Sequence, residues 1–149
     1  NITNTSAVDL SATLNRIVSR LTVYSSDGRT ANVTNVRMTF SAGGWSFNPT
    51  TGLATVNTGL ANTVSISAAT GETSTSSTNF FLLTDEQTMN VTIETLDADG
   101  NTLFNKTIEN VPFKRNRVTA LTGKMYASDA LSGSFKVETS WLDDENVAF

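Results

Sequence analysis

"MNVTIETLDADGNTLFNKTIENV", residues 89–111, carries the pattern on which the fold class turns. Met89, Val91 and Ile93 recur at every second position with polar residues between them, the period of a strand buried on one face. A run of similar length, Thr102 to Val111, follows it, so the two read as a hairpin pair. Between them stands Asp97-Ala98-Asp99-Gly100-Asn101, and Asp-Gly between such runs is a hairpin turn because Gly accepts the positive φ that the turn requires. The same residues space the oxygens of Asp97, Asp99 and Asn101 two apart, as at the start of a calcium loop. That loop also needs Gly at its sixth position and Glu at its twelfth, where Thr102 and Ile108 stand here, so the turn reading prevails and no metal site is expected.

Working outward, the same period recurs. "NVRMTF" (35–40) alternates Val36, Met38 and Phe40 against polar partners, and "TVSIS" (63–67) repeats this with Val64 and Ile66. "SSDGR" (25–29) reads as a second turn, and residues 41–59 as short strands around turns. "AATGETSTSSTN" (68–79) has no periodicity and almost no apolar content, which predicts a long mobile loop. "FFLL" (80–83) reads as a strand covered on both faces. "GSFKVETSW" (133–141) sets Phe135, Val137 and Thr139 against Lys136 and Glu138, a late strand. The first element is ambiguous. Leu10, Leu14, Ile17 and Leu21 make a helical stripe, yet the β-branched run "IVSRLTVY" turns Ile17, Leu21 and Val23 inward around Ser19. A strand from Arg16 to Tyr24 is expected, with a helical turn in "AVDLSATL" (7–14) before it.

Composition agrees. A length of 149 residues suits one domain, and Ser and Thr fill 41 positions, an excess of small hydroxyls that suits pleated, half-buried surfaces. The fold class expected is all-β: a single antiparallel β-sandwich of about 7–9 strands spanning residues 1–149. There is no Cys and no His, so thiolate nucleophiles, imidazole bases and their metal sites are excluded by inventory. A net charge of -4 gives no footprint for nucleic acid, and no apolar run reaches the length of a transmembrane helix. The chain opens on Asn1, as a processed or trimmed product would.

Little chemistry remains. Asp85 and Glu86, and Asp143, Asp144 and Glu145, are adjacent carboxylates in polar surroundings, whereas glycosidase pairs face each other across a cleft with one group desolvated. Ser134 and Lys136 share one exposed strand face and lack the spacing of a Ser/Lys nucleophile. The chain is therefore expected not to be an enzyme and to need no cofactor. Asn-x-Ser/Thr sequons at Asn1, Asn4, Asn32, Asn90 and Asn105 are what so Asn- and Thr-rich a chain contains by chance. Trp45 with Phe47, and Trp141, are candidate partner-binding residues, although core filling is the ordinary role of aromatic side chains in an all-β domain.

"NVPFKRNRVTALTGKMY" (110–126) gathers Lys114, Arg115, Arg117 and Lys124. Strand parity puts Phe113, Arg115, Arg117 and Leu121 on one face and Lys114, Asn116 and Val118 on the other, so neither face is continuously basic. A bulge or turn near Lys114 to Asn116 would let both arginines leave the core, Pro112 would start or edge the strand, and Gly123 would kink it. Arg115 and Arg117 are the candidate pair for an anionic partner.

Two blocks carry a family resemblance. "LNRIVSRLTVY" (14–24) resembles the opening strand of the fimbrillin-like domains of Bacteroidales, and "VPFKRNRVTALTGKMY" followed by "SFKVETSWLDDEN" is similar to that group's closing segment. The resemblance implies a transthyretin-like Greek-key sandwich, made as a lipidated outer-membrane precursor whose anchoring segment is removed. It further implies display on the cell surface as a pilus subunit, pilus anchor or adhesin. Its partners would be other pilus subunits or surface ligands of host or bacterial cells. Fimbrillins assemble by strand donation, and if this chain does so, Ile17, Leu21 and Val23 with Phe135 and Val137 are the expected groove walls. The rival reading is a glycan-binding module of a surface nutrient-uptake system, with Trp45 or Trp141 as a sugar platform.

Overall fold

The computed structural model describes residues 16–57, 59–127 and 134–138. Its eight strands are β1 (Ser19–Ser25), β2 (Asn35–Phe40), β3 (Leu60–Ser65), β4 (Thr75–Phe80), β5 (Glu86–Leu96), β6 (Thr102–Lys114), β7 (Val118–Gly123) and β8 (Lys136–Glu138). They form two four-stranded sheets, ordered β4-β1-β7-β8 and β3-β2-β5-β6, which close over one hydrophobic core as a β-sandwich. The all-β expectation holds, with one departure from a purely antiparallel fold. β1 runs parallel to β7, Leu21 beside Thr119 and Val23 beside Leu121, while every other strand pair is antiparallel. No helix among the described residues is long and apolar enough to cross a membrane.

β5 and β6 form the expected hairpin, with Asp97 closing its turn. The Asp97 carboxylate accepts the backbone N–H groups of Asp99 at 3.0 Å and Asn101 at 2.8 Å, and Gly100 takes a φ of 86°. These bonds, led by that of the Asn101 side chain, hold the Asp97 carboxyl below its usual range. The strand after the turn is longer than the sequence suggested. "TLFNKTIENV" and the start of the basic stretch are one continuous strand, β6, interrupted by a bulge where Asn110 adopts a φ of 56° and its N–H donates to the Asn90 side chain. Pro112 accordingly lies well inside β6 rather than at its start, tolerated because β6 is an edge strand and Pro has no N–H to leave unpaired there.

Other expectations fail for identifiable reasons. Residues 68–79 are not one long loop: Thr75 onward is β4, whose inward side chains are Ser76, Thr78 and Phe80. Hydroxyls occupy both faces of this edge strand, so no apolar alternation announces it. Inside, Thr78 Oγ1 accepts from Asn62 on β3 at 2.8 Å, which ties the two sheets together at that edge. "FFLL" is not a strand of its own either. Phe80 ends β4, Phe81 makes an isolated bridge to Gly44, and Leu82 turns into the core. The first strand begins at Ser19 rather than Arg16, and the suggested helical turn at 7–14 lies outside the described residues.

Both sheets send aromatic rings to one end of the core. Phe40 ends β2 and Phe80 ends β4, with centroids 4.4 Å apart, and Phe113 near the end of β6 meets Phe80 edge-on at 5.2 Å. All three are at most 2% exposed. On the outer face of the other sheet, Arg37 grips Glu94 through two bonds of 2.6 and 2.8 Å. The guanidinium outweighs the partial burial of the carboxyl and holds it below its ordinary range, so this pair stabilises the fold above that range and is lost as pH falls. Replacing Phe80→Ala should destabilise the chain by about 3–5 kcal/mol through the cavity left between the sheets. Urea unfolding followed by fluorescence measures this, and a loss below about 1 kcal/mol would mean that the ring is not a core anchor.

Candidate functional site

The connection from β2 to β3 builds a small, stiff hairpin at the end of the sandwich where the phenylalanine rings meet. Gly44 and Phe81 exchange both backbone hydrogen bonds at 3.1 Å, and Ala54 N–H donates to Leu82 at 2.7 Å, which fixes the base. Phe47 bridges Ala54, and Asn48 turns the tip by accepting from Gly52 at 2.7 Å through its backbone and from Thr50 at 2.8 Å through its side chain. Gly52 takes a φ of 71° and lies so close to Ile17 that a Cβ would sit 2.8 Å from that side chain. Outward from this frame stand Trp45 (49% exposed), Phe47 (40%) and Val56 (53%), three of the five large hydrophobic side chains exposed among the described residues. Phe47 rests on Phe81, centroids 4.7 Å apart. Trp45 and Phe47 are thus surface residues, contrary to the core role that aromatic residues ordinarily take. At the base of the hairpin the chain passes so close that a Cβ on Gly44 would meet Val56 O at 2.8 Å.

The basic stretch comes to the same end. Residues 110–126 are not one strand but the end of β6, a turn across to the other sheet, and β7. Asn116 makes the crossing with a φ of 61°, its N–H on Val18 O at 3.0 Å, while Arg117 O accepts from Arg20 N–H at 3.0 Å. Arg115 reaches the aromatic hairpin: its guanidinium pairs with Asp85 at 3.0 Å and donates to Thr51 O at 2.9 Å. The structure therefore brings Arg115 to the Trp45-bearing loop and gives it a structural task there. Arg117 donates to Asn116 O at 3.3 Å, and Lys114 pairs with Glu86 at 2.6 Å. Asp85 and Glu86 are solvated, 68% and 69% exposed at their side chains.

The predicted groove residues lie in one sheet, on or just before β1 and β8, with β7 between those two strands. Leu21 and Val23 are fully buried on β1, which has neighbours on both sides, and Ile17 precedes that strand half-buried. Phe135 and Val137 are half-buried, and among the described residues β8 pairs with β7 over Ala120 to Thr122. Phe135 lies flat on Gly123, whose Cβ would be 2.8 Å from the ring. Gly123 is thus a seat for an aromatic ring at the end of β7. Trp141 lies outside the described residues.

Sequence reasoning missed a clasp at the opposite end. The Asp27 carboxylate accepts three successive backbone N–H groups, Met125 at 2.9 Å, Tyr126 at 2.8 Å and Ala127 at 2.7 Å. Tyr126 OH meets Ser74 Oγ, and burial raises the phenol above its usual pKa. Because the partners of Asp27 are backbone amides about a hundred positions away, no motif marks it; "SSDGR" signals only the turn. Beside the clasp a cavity of about 210 Å³ is lined by Val33, Thr95, Leu103, Phe104, Met125 and Tyr126 among others.

The fold and its loop end thus define a two-sheet β-sandwich that carries an exposed aromatic hairpin. The chain belongs to the family of unknown function DUF6562, which matches residues 1–147. No curated protein matches it. Among solved structures, a candidate cell adhesion protein from Bacteroides ovatus is similar with a TM-score of 0.50 at 13% identity. The match covers 81% of this chain and 43% of that one, so the chain spans less than half of that protein, and at this identity the likeness is one of fold. The human-specific toxin intermedilysin matches at 13% identity over 81% of this chain and 23% of the toxin, with a TM-score of 0.27, too low to bear on the fold.

Arg115→Ala should free the hairpin tip while leaving the core intact. Amide exchange at residues 48–55 is expected to quicken about tenfold, with global stability changed by about 1 kcal/mol or less, since an exposed ion pair contributes little. Unchanged exchange at the tip would show that Arg115 does not staple the hairpin.

Proposed function

We propose that this protein is a non-catalytic, cell-surface β-sandwich with a structural or adhesive role. What carries the reading is the sandwich shared with the Bacteroides ovatus protein, joined to an aromatic hairpin that is held rigid and yet exposed. Exposed apolar groups on a preorganised frame are the mark of a recognition surface, because their ordering is already complete before a partner arrives. Among the described residues Asp85 and Glu86 sit in solvated ion pairs and Glu94 is occupied by Arg37, while Asp143, Asp144 and Glu145 lie outside them.

The finer reading is a pilus-type subunit or anchor, attached to the outer membrane through a lipidated segment that is later removed, and assembling by strand donation. Its support is the edge at β8, where three residues complete a sheet over the half-buried Phe135 and Val137. A strand that enters at a sheet edge by backbone pairing, with apolar side chains toward the core, is the kind that another subunit's strand can replace. Arg115 and Arg117 flank this chain's crossing turn and lie within reach of partners at the loop end.

Antibody against the folded chain should label intact source cells, and labelling only after lysis would overturn the surface reading. Strand donation has its own test. Deleting the residues after Ser134, or introducing Val137→Asp without shortening the chain, should abolish self-association seen by light scattering, and unchanged assembly in both would discard that mechanism.

A further inference from the structure

We propose that the Trp45 hairpin is a binding site for uncharged sugar chains, with the indole and Phe47 as the platform for a pyranose ring. The inference rests on the adhesive reading above and names the ligand class for it. Three observations carry it.

The first is geometry. Thr55 N–H donates to Ser46 O and Phe47 bridges Ala54, so the short hairpin carries Trp45 and Phe47 two positions apart on one arm and Val56 on the other, all three exposed. Phe47 is braced from behind by Phe81, so the platform keeps its shape without a ligand.

The second is charge. Residues 43–57, "GGWSFNPTTGLATVN", contain no Asp, Glu, Lys or Arg but are rich in Ser, Thr and Asn. The nearest charges at the tip, Arg115 and Asp85, neutralise each other at 3.0 Å. Such a surface repays neither a phosphate nor a basic peptide, whereas a neutral sugar offers an apolar C–H face for the rings and hydroxyls for the amide and hydroxyl groups around them.

The third is size. A stable protein–protein contact buries about 800 Å² on each partner and engages roughly 20–30 residues a side. Three side chains on a projecting hairpin fall far short of that, while a single indole suffices to cover one ring.

The test uses the full chain carrying Trp141→Phe, so that Trp45 alone reports, titrated with maltohexaose, cellohexaose, mannohexaose, xylohexaose and, as the charged comparison, hexagalacturonate. At least one neutral oligosaccharide should shift the Trp45 emission. In the unsubstituted chain, calorimetry should show that Trp45→Ala weakens the same binding by about tenfold or more, as removal of a central aromatic anchor does. Leu103→Ala, which alters an exposed apolar residue away from the hairpin, should leave it unchanged. Silence toward every neutral sugar, a preference for hexagalacturonate, binding unaffected by Trp45→Ala, or a change of oligomeric state on Trp45→Ala in place of sugar binding would each overturn the proposal. Labelling of intact cells by a chain that binds no sugar would discard the glycan site and leave the surface role. Sugar binding by a chain found only inside cells would do the reverse.

Discussion

Everything at the aromatic-hairpin end of the molecule depends on the meeting of Phe40, Phe80 and Phe113. The three rings come from β2, β4 and β6, and so from both sheets, and each stands at or next to the end of its strand. From those ends leave the aromatic hairpin, the segment of Phe81 and Asp85, and the crossing turn with Arg115. Packing the rings fixes three chain exits at once. The bridge of Gly44 to Phe81 and the reach of Arg115 to Thr51 are then short local bonds between segments already in place. A loose core there would leave the hairpin as an ordinary mobile loop; a rigid one makes its exposed rings a surface of defined shape.

The β5–β6 hairpin and β2 were legible because one face of each is apolar and the other wet, and Asp-Gly marks the turn. β4 was not, since its inward Ser76 and Thr78 look like its outward neighbours; pairing to β1 and a bond to Asn62 make it a strand. The crossing turn between the arginines was foreseen from their need to leave the core, but not that it links two sheets. The site was half legible. Trp45, Phe47, Arg115 and Arg117 were picked out as residue types, while the exposure of the two rings follows from backbone bridges that no local pattern records. Asp27 was invisible for the same reason.

Two of the four edge strands among the described residues, β6 and β8, differ in character. Among the described residues β6 is a long edge strand, and it carries Lys106 on its inward face, opposite Ile93, together with a bulge at Asn110 and Pro112. An inward charge, a bulge and a missing N–H each discourage a foreign strand from docking. At the other sheet one edge is β8, whose three described residues carry no proline, bulge or inward charge, and Phe135 beside it covers Gly123 of β7. The protein thus guards one edge and leaves the other lightly closed.

The parallel placement of β1 beside β7 also sets the order in which the molecule can be made. The sheet of β2, β3, β5 and β6 joins strands that lie between Asn35 and Lys114, and its longest pair is a simple hairpin. The other sheet must wait, because Leu21 finds Thr119 only after nearly the whole chain has been synthesised. Until then β1, with Leu21 and Val23, has only its antiparallel neighbour β4, and its other side stays open. Long-range pairing of this kind slows folding and prolongs exposure to wrong partners. Closure of this sheet is thus a late step set by the connectivity rather than by any single residue.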